Sequence, residues 1–278
     1  VALREQAIAR IKEVEAVNSP AGMVNTALNP LSGKDKQENH QGQDLVCKNP
    51  EPWPQAVDGS ELLAEMERVI TRYVVMVEGA ATATALWAIN TFAHDIGEIS
   101  PYLAMVSPEK RCGKSTLLAV LGQMVLRPVP ASNISAPSLF RIVDKYLPTL
   151  IIDELETFLK ENEALRGILN SGHHRPNAYV IRTVGENHQP QKFSTYCPKA
   201  FALIGRLPET LEDRSVVIPM CRRNAHEKVD RLRLGRLKLE DLRSKITRWV
   251  SDHQELLRDA EPEIPDGLSD RAEDNWRP

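Results

Sequence analysis

Aromatic residues are scarce in this sequence: they make up 5% of its 278 residues. A core built here must therefore be mainly aliphatic. Cysteine is scarcer still. Cys47, Cys112, Cys197 and Cys221 lie far apart with no paired spacing, which argues against a disulfide framework and against a thiolate zinc site. The seven histidines form no ligand pattern, and His173 and His174 are adjacent rather than four apart. No apolar run is long enough to span a bilayer, and no stretch reads as a signal peptide, which makes the cytoplasm the default location. An excess of one charge is also missing. A net charge of −3 and a pI near 6.2 give no whole-chain nucleic-acid signature. There is no internal repeat and no Asn-Lys-x-Asp motif of the kind that selects guanine. The chain opens on Val rather than Met, which fits an alternative start codon or a cut.

What is present is a stretch around which the rest can be ordered. Pro101 to Ser107 contains a short apolar run that reads as a buried strand. A polar loop follows and ends in Gly113-Lys114-Ser115-Thr116, after which Leu117, Leu118, Val120, Leu121 and Val125 recur at helical spacing. Strand, loop, Gly-Lys-Ser and helix are the context a phosphate-binding loop requires. A helix N-terminus offers free N–H groups and the positive end of a dipole to phosphate oxygens. Gly113 lets the backbone approach closely, Lys114 reaches the terminal phosphates as a point charge, and Ser115 offers a hydroxyl to Mg²⁺. Lys110, Arg111, Cys112 and Thr116 complete the loop, with Cys112 as a small loop residue. The usual first glycine is replaced by Pro108.

A second apolar run, Thr149-Leu150-Ile151-Ile152, ends in Asp153-Glu154. On a strand beside the first, Asp153 faces the Mg²⁺ held by Ser115, and Glu154 is placed to polarise an attacking water. A core strand with a solvated acidic end is the plainer alternative.

Around this centre the sequence predicts an amphipathic helix over residues 1–17 and an irregular linker over 18–57, with Trp53 docked on the domain behind it. A helical adaptor follows over 58–98, its first helix capped by Asp58 with Glu61 as capping-box partner. The nucleotide core spans 99–224. Alternating strand and helix patterns there imply a parallel sheet with helices on its faces. Two strands flank a polar hairpin tip over 185–191, and Lys199 to Gly205 forms a further apolar strand. Two amphipathic helices over 225–278 close the chain. Basic residues outnumber acidic ones from Arg222 to Arg248, and acidic residues dominate from Asp252 to Asp274; a solvated face is the ordinary reading of such runs. Arg214 sits just past the strand that follows the Asp-Glu strand. In ring-forming ATPases an arginine in this place reaches the γ-phosphate bound to the neighbouring subunit, while a local ion pair with Asp213 or Glu212 is the structural alternative.

The loop Ser107-Pro108-Glu109-Lys110-Arg111-Cys112-Gly113-Lys114-Ser115 resembles that of the family labelled domain of unknown function 3631. So do Pro50 to Pro54, Ile151 to Glu154, Ala178 to Gly185 and Leu203 to Ser215, a coverage of roughly Pro50 to Pro278. The resemblance implies a P-loop protein of phage, plasmid or other mobile elements, often beside primase modules. More distantly the layout resembles superfamily-3 helicases of the AAA+ class, in which a hairpin grips DNA. Those helicases place an asparagine where this chain has Gly205, and Arg206 is the candidate substitute. Family members also continue past Pro278, so the C-terminal segment is expected to be cut short.

The expected fold is an α/β three-layer P-loop NTPase of AAA+-like type, with a parallel sheet, a β-hairpin insertion and helical additions at both ends. The expected activity is ATP hydrolysis with Mg²⁺. It would drive a motor or loader on single-stranded or duplex DNA, touched by the 185–192 hairpin. The expected partners are a primase or replication factor and, if Arg214 acts in trans, further copies of the chain. A slow nucleotide-dependent switch is the alternative, motivated by Pro108 and Gly205. The adjacent Asp153-Glu154 pair argues against a small-molecule kinase, since a water-activating glutamate suits hydrolysis.

Overall fold

The computed structural model describes residues 45–131, 134–160, 163–264 and 267–278. The expected helix over 1–17 and most of the 18–57 linker lie outside the described residues. The unit that can be described is Val46–Pro278.

Its first helices are α1 (Gly59–Tyr73) and α2 (Ala80–Ala93). Asp58 caps α1: its Oδ1 accepts the Glu61 N–H at 2.9 Å, half of the expected capping box. Leu62, Met66 and Ile70 recur every fourth residue and form the buried stripe. The core continues through β1 (Tyr102–Ser107), α3 (Lys114–Leu121), β2 (Pro128–Pro130), α4 (Ala136–Tyr146), β3 (Thr149–Ile152), α5 (Leu155–Lys160) and α6 (Glu163–Ser171). After these come β4 (Tyr179–Val184), β5 (Gln189–Ser194), β6 (Lys199–Ile204), α7 (Glu209–Glu212) and β7 (Ser215–Pro219).

Five strands make one sheet in the order β2-β3-β6-β1-β7, and every pairing is parallel. The near-continuous apolar strands fit burial on both faces. The two sides of the sheet separate by alternate residues. Leu103, Met105, Ile151, Ala200 and Ala202 join a cluster that includes α1, α2 and α3. Tyr102, Ala104, Leu150, Ile152, Phe201 and Leu203 join the opposite one, with residues from α4, α5 and α6. This period of two is the pleat, and it makes three layers. The expected helical adaptor is therefore part of one outer layer, packed against the helix that carries the Gly-Lys-Ser sequence.

The hairpin is present but trimmed. β5 begins at Gln189, so the tip is 185–188 rather than 185–191, with Val184 opposite Gln189. Gly185 and His188 take φ of 74° and 49°, the left-handed conformations a tight turn needs.

The C-terminal region departs most from expectation. Of the two expected amphipathic helices the last is present as α8 (Glu240–Asp252), which buries Leu242, Ile246 and Val250; the one before it is not found, and the short α9 (Gln254–Arg258) and α10 (Asp270–Trp276) follow. Residues 221–239 run without a long helix, broken by one 3₁₀ turn at Leu234–Arg236. The reason is visible in the sequence Arg231-Leu-Arg-Leu-Gly-Arg-Leu-Lys-Leu239. Leucines alternate with basic residues at a period near two, which no helix can place on one face. Trp53 does dock as expected: its backbone N–H donates to Ser244 O at 2.9 Å and Lys245 Nζ lies 5.7 Å from its ring centroid. Gly59 lets α1 meet α8 closely, since a Cβ there would sit 2.7 Å from Trp249 Nε1.

Candidate functional site

The first crossover, from β1 to β2, and the later one from β6 to β7 leave the sheet in opposite directions, because β1 and β6 are neighbours while β2 and β7 are the two edges. Ligands of open parallel sheets settle at such switch points, beyond the carboxyl ends of the strands. A cleft of about 320 Å³ lies there. Its walls hold Lys110, Arg111, Cys112, Gly113, Lys114, Ser115 and Thr116 from the loop after β1, and Asp153 and Glu154 from the end of β3. The nine candidates from two distant stretches of sequence thus share one cleft.

Gly113 is the N-cap of α3 with φ 87°. That conformation strains any residue with a Cβ, and a Cβ would also press within 3.3 Å of Val74 Cγ1. Arg111 and Glu154 have φ of 67° and 53°. Two non-glycine residues in the left-handed region within one cleft are local strain of the kind that gathers at working sites. The Glu154 N–H donates to Asp153 Oδ1 at 3.0 Å, which fixes the acidic turn.

Lys114 is 9% exposed. Its ammonium donates to Ser107 Oγ, in a short contact, and to Glu109 O at 3.4 Å. Among the described residues no carboxylate pairs with it. A buried ammonium beside a helix N-terminus, with no counter-charge, is a strong attractor for an anion. The donor set for a cation is also oxygen-based: the Ser115 hydroxyl and the Asp153 carboxylate. Mg²⁺ needs few protein ligands because waters and phosphates complete its octahedron, so the residues fit that ion.

Sequence reasoning missed Glu156, which lines the same cleft. Its Oε2 is buried without a hydrogen-bond partner. The signal was the run Asp153-Glu154-Leu155-Glu156, in which a third acid follows the pair after one apolar residue. It also missed Arg222, whose Nη2 lies 3.7 Å from Glu109 Oε2 and so ties the chain after β7 to the loop.

Two candidates stand apart. Arg206 is exposed and lies two residues past Ile204, the last residue of β6 to line the cleft. Arg214 precedes β7, and its carbonyl accepts the Tyr102 N–H at 2.8 Å. It therefore sits at the start of β1, the opposite end of the sheet from the loop, and lines a separate cleft of about 640 Å³ with Glu98, His173 and Arg271. Its guanidinium donates to the Thr210 carbonyl. Among the described residues it forms no ion pair, so the alternative reading, a local pair with Asp213 or Glu212, is not found.

That edge carries a pH-sensitive group. His173 is buried, with Nε2 2.8 Å from Asn275 Oδ1, and Asn275 Nδ2 donates to Asp213 O at 2.9 Å. Burial, together with Arg214, Arg271 and Lys199, lowers its pKa to about 4 from the ordinary 6.5, against the opposing pull of Asn275. The folded chain keeps the ring neutral where the unfolded chain would protonate it. Stability is therefore full above pH 6.5 and falls as the pH drops toward 4. His173 should account for a loss on the order of 1 kcal/mol by pH 5.5, beside that of His94, whose pKa burial lowers to about 3, and the loss should shrink in His173→Gln. Urea denaturation at pH 7.5 and 5.5 measures it.

Comparison with known proteins gives a partial placement. A family described as "Protein of unknown function (DUF3631)" matches residues 219–278, so the cleft itself lies outside the matched region. No curated protein matches. Among solved structures, one described as the A form apo structure of the NrS-1 C terminal region is similar at a TM-score of 0.40 and 12% identity. The match covers 81% of this chain and 49% of that one. This chain thus spans about half the length of that solved chain.

Proposed function

We propose that this chain binds ATP with Mg²⁺ in the β1–β3 cleft and hydrolyses it, as an AAA+-like ATPase working on DNA in mobile-element replication. The observation that carries the reading is the buried, unpaired Lys114 at the N-terminus of α3, facing Asp153 and Glu154 across one cleft at the switch point of a parallel sheet. In this reading the α3 N–H groups and Lys114 hold the phosphate oxygens. Ser115 and Asp153 hold the ion, which offsets charge on the phosphates. Glu154 accepts a proton from the attacking water. Arg214 is too far along the sheet to serve its own cleft, so it would act on a neighbouring copy, which implies a homo-oligomer. The hairpin tip at 185–188 with Lys192 would contact DNA, and a primase or replication factor is the partner the resemblance suggests.

A second reading is favoured by particular residues: Pro108 replaces a loop glycine, Gly205 replaces an amide, and Arg206 stays outside the cleft wall. These suit a slow nucleotide-dependent switch without motor activity. Single-stranded DNA separates the two, since only a motor or loader should turn over faster in its presence.

The site is tested by Lys114→Ala. Loss of a charge-assisted contact to phosphate should weaken ATP affinity by at least about 10- to 100-fold. A fluorescent ATP analogue titrated with Mg²⁺ present reads this directly. Unchanged affinity removes the proposal.

A further inference from the structure

The segment from Arg222 to Lys238 holds seven of the chain's basic residues against two acids, Glu227 and Asp230, in a protein whose net charge is −3. Both acids are already engaged. Glu227 accepts the Asn224 N–H, and Asp230 pairs with Arg72 at 2.7 Å. Arg231, Arg233, Arg236 and Lys238 are all exposed, and among the described residues none of them pairs with a carboxylate. The run is a strap rather than a loose loop. Leu232 and Leu237 pack on the core cluster that contains α1 and α8, Leu239 is part of that cluster, and the Asp230 N–H donates to Arg72 O at 2.8 Å. With Leu232, Leu237 and Leu239 facing in and the cations facing out, charges two residues apart are spaced about 6.6 Å along an extended chain. The 3₁₀ turn at Leu234–Arg236 joins the two halves of this row.

A row of fixed, unneutralised cations on an otherwise slightly acidic protein is the electrostatic footprint of a polyanion site. We propose that the 222–238 strap binds the phosphodiester backbone of single-stranded nucleic acid. The choice of a nucleic-acid strand over an acidic protein rests on the makeup of the row. It is rich in arginine, whose fork suits phosphate oxygens, and its single outward apolar side chain, Leu234 at 49% exposure, provides little of the apolar anchor a protein interface needs. The strap is distinct from the hairpin and acts whether or not the cleft binds nucleotide. Its first residue, Arg222, touches Glu109 of the loop, so a bound strand lies beside the nucleotide cleft.

The test is fluorescence anisotropy of a labelled 20-nucleotide oligothymidine with the full chain, without nucleotide and with EDTA, across a salt series. A variant carrying Arg231→Gln, Arg233→Gln, Arg236→Gln and Lys238→Gln should bind at least about 30-fold more weakly near 0.1 M salt. The slope of log affinity against log salt should fall by about 3, since each single-strand phosphate contact contributes about 0.7. A control variant with Lys48, Arg68, Arg166 and Arg258 changed to Gln carries the same charge loss and should bind within about threefold of the parent. Matching thermal melts show that both variants are folded. No binding by the parent at low salt, or equal losses in both variants, overturns the proposal. So does polyglutamate displacing the oligonucleotide as well as an unlabelled strand does, which would mark an acidic protein as the partner.

Discussion

Glu154→Gln is expected to lower ATP turnover by about 10²- to 10⁴-fold, the span of general-base catalysis, while leaving ATP affinity within a few-fold. The substitution keeps the size of the side chain and removes only its ability to take a proton. The acidic turn itself is held by the Glu154 N–H bond to Asp153 Oδ1 at 3.0 Å, which the amide does not disturb. In the proposed site binding rests on Gly113, Lys114 and Ser115, on the other wall of the cleft. Single-turnover hydrolysis alongside equilibrium binding separates the two effects. One specific rival exists. Glu156 faces the same cleft with an unpartnered, buried Oε2. If Glu154→Gln keeps full turnover, the base is reassigned, and Glu156→Gln should then show the loss. If both variants bind ATP normally and the parent turns over negligibly with or without single-stranded DNA, the switch reading stands and the motor reading falls.

The Gly-Lys-Ser loop and the acidic strand were legible as local structure because each is a local pattern with a local cause. An apolar strand must end where its chain leaves the sheet, and Gly113 was marked by a backbone conformation that side chains avoid. That the two stretches share a cleft follows from parallel pairing through β6, which lies between β1 and β3. β6 itself was legible as an apolar strand, though its place in the order was not. Arg214 shows where reading by position stops. It was read as lying just past a strand, the end that faces the loop, whereas the chain first crosses back through α7 and Arg214 leads into β7 at the end away from the loop. The region 221–239 misled for another reason. It was covered by the two-helix reading of 225–278, while its leucines recur at a period near two, that of an extended chain. Glu156 was passed over because Leu155 begins a helix at once, turning the next acid back to the cleft instead of onward along a strand.

Gly172→Ala is expected to destabilise the chain by about 2–4 kcal/mol, the range for overpacking combined with a disturbed buried polar network. Gly172 follows α6 and faces the fully buried Lys199 at the start of β6. A Cβ at this position would collide with Lys199 Nζ and with the Thr195 carbonyl oxygen. The ammonium cannot swing away cheaply. It donates to Thr195 O and Cys197 O, each at 3.0 Å, and to Gly172 O at 3.5 Å, with the Tyr102 ring 4.9 Å below. Burial lowers its pKa, against the pull of the Cys197 side chain, so the ammonium depends on these few buried partners in place of water. Thr195 is itself fixed, since its N–H donates to Ala178 O at 2.9 Å, where the hairpin leaves the body. The collision is therefore with a backbone that has no room to give, and relief must come from moving the hairpin base or the end of α6. Urea denaturation reads the loss. Lys199→Met in the same background should recover only part of it, because the Thr195 carbonyl remains in the way; full recovery would place the strain on the lysine alone. The cleft proposed for ATP lies at the other end of β6, beside Ile204, so ATP affinity measured below the unfolding transition should stay within about twofold of the parent. A brace at one end of the strands and the proposed anion site at the other are then separable in one protein, as the placement of Gly172 and Gly113 requires.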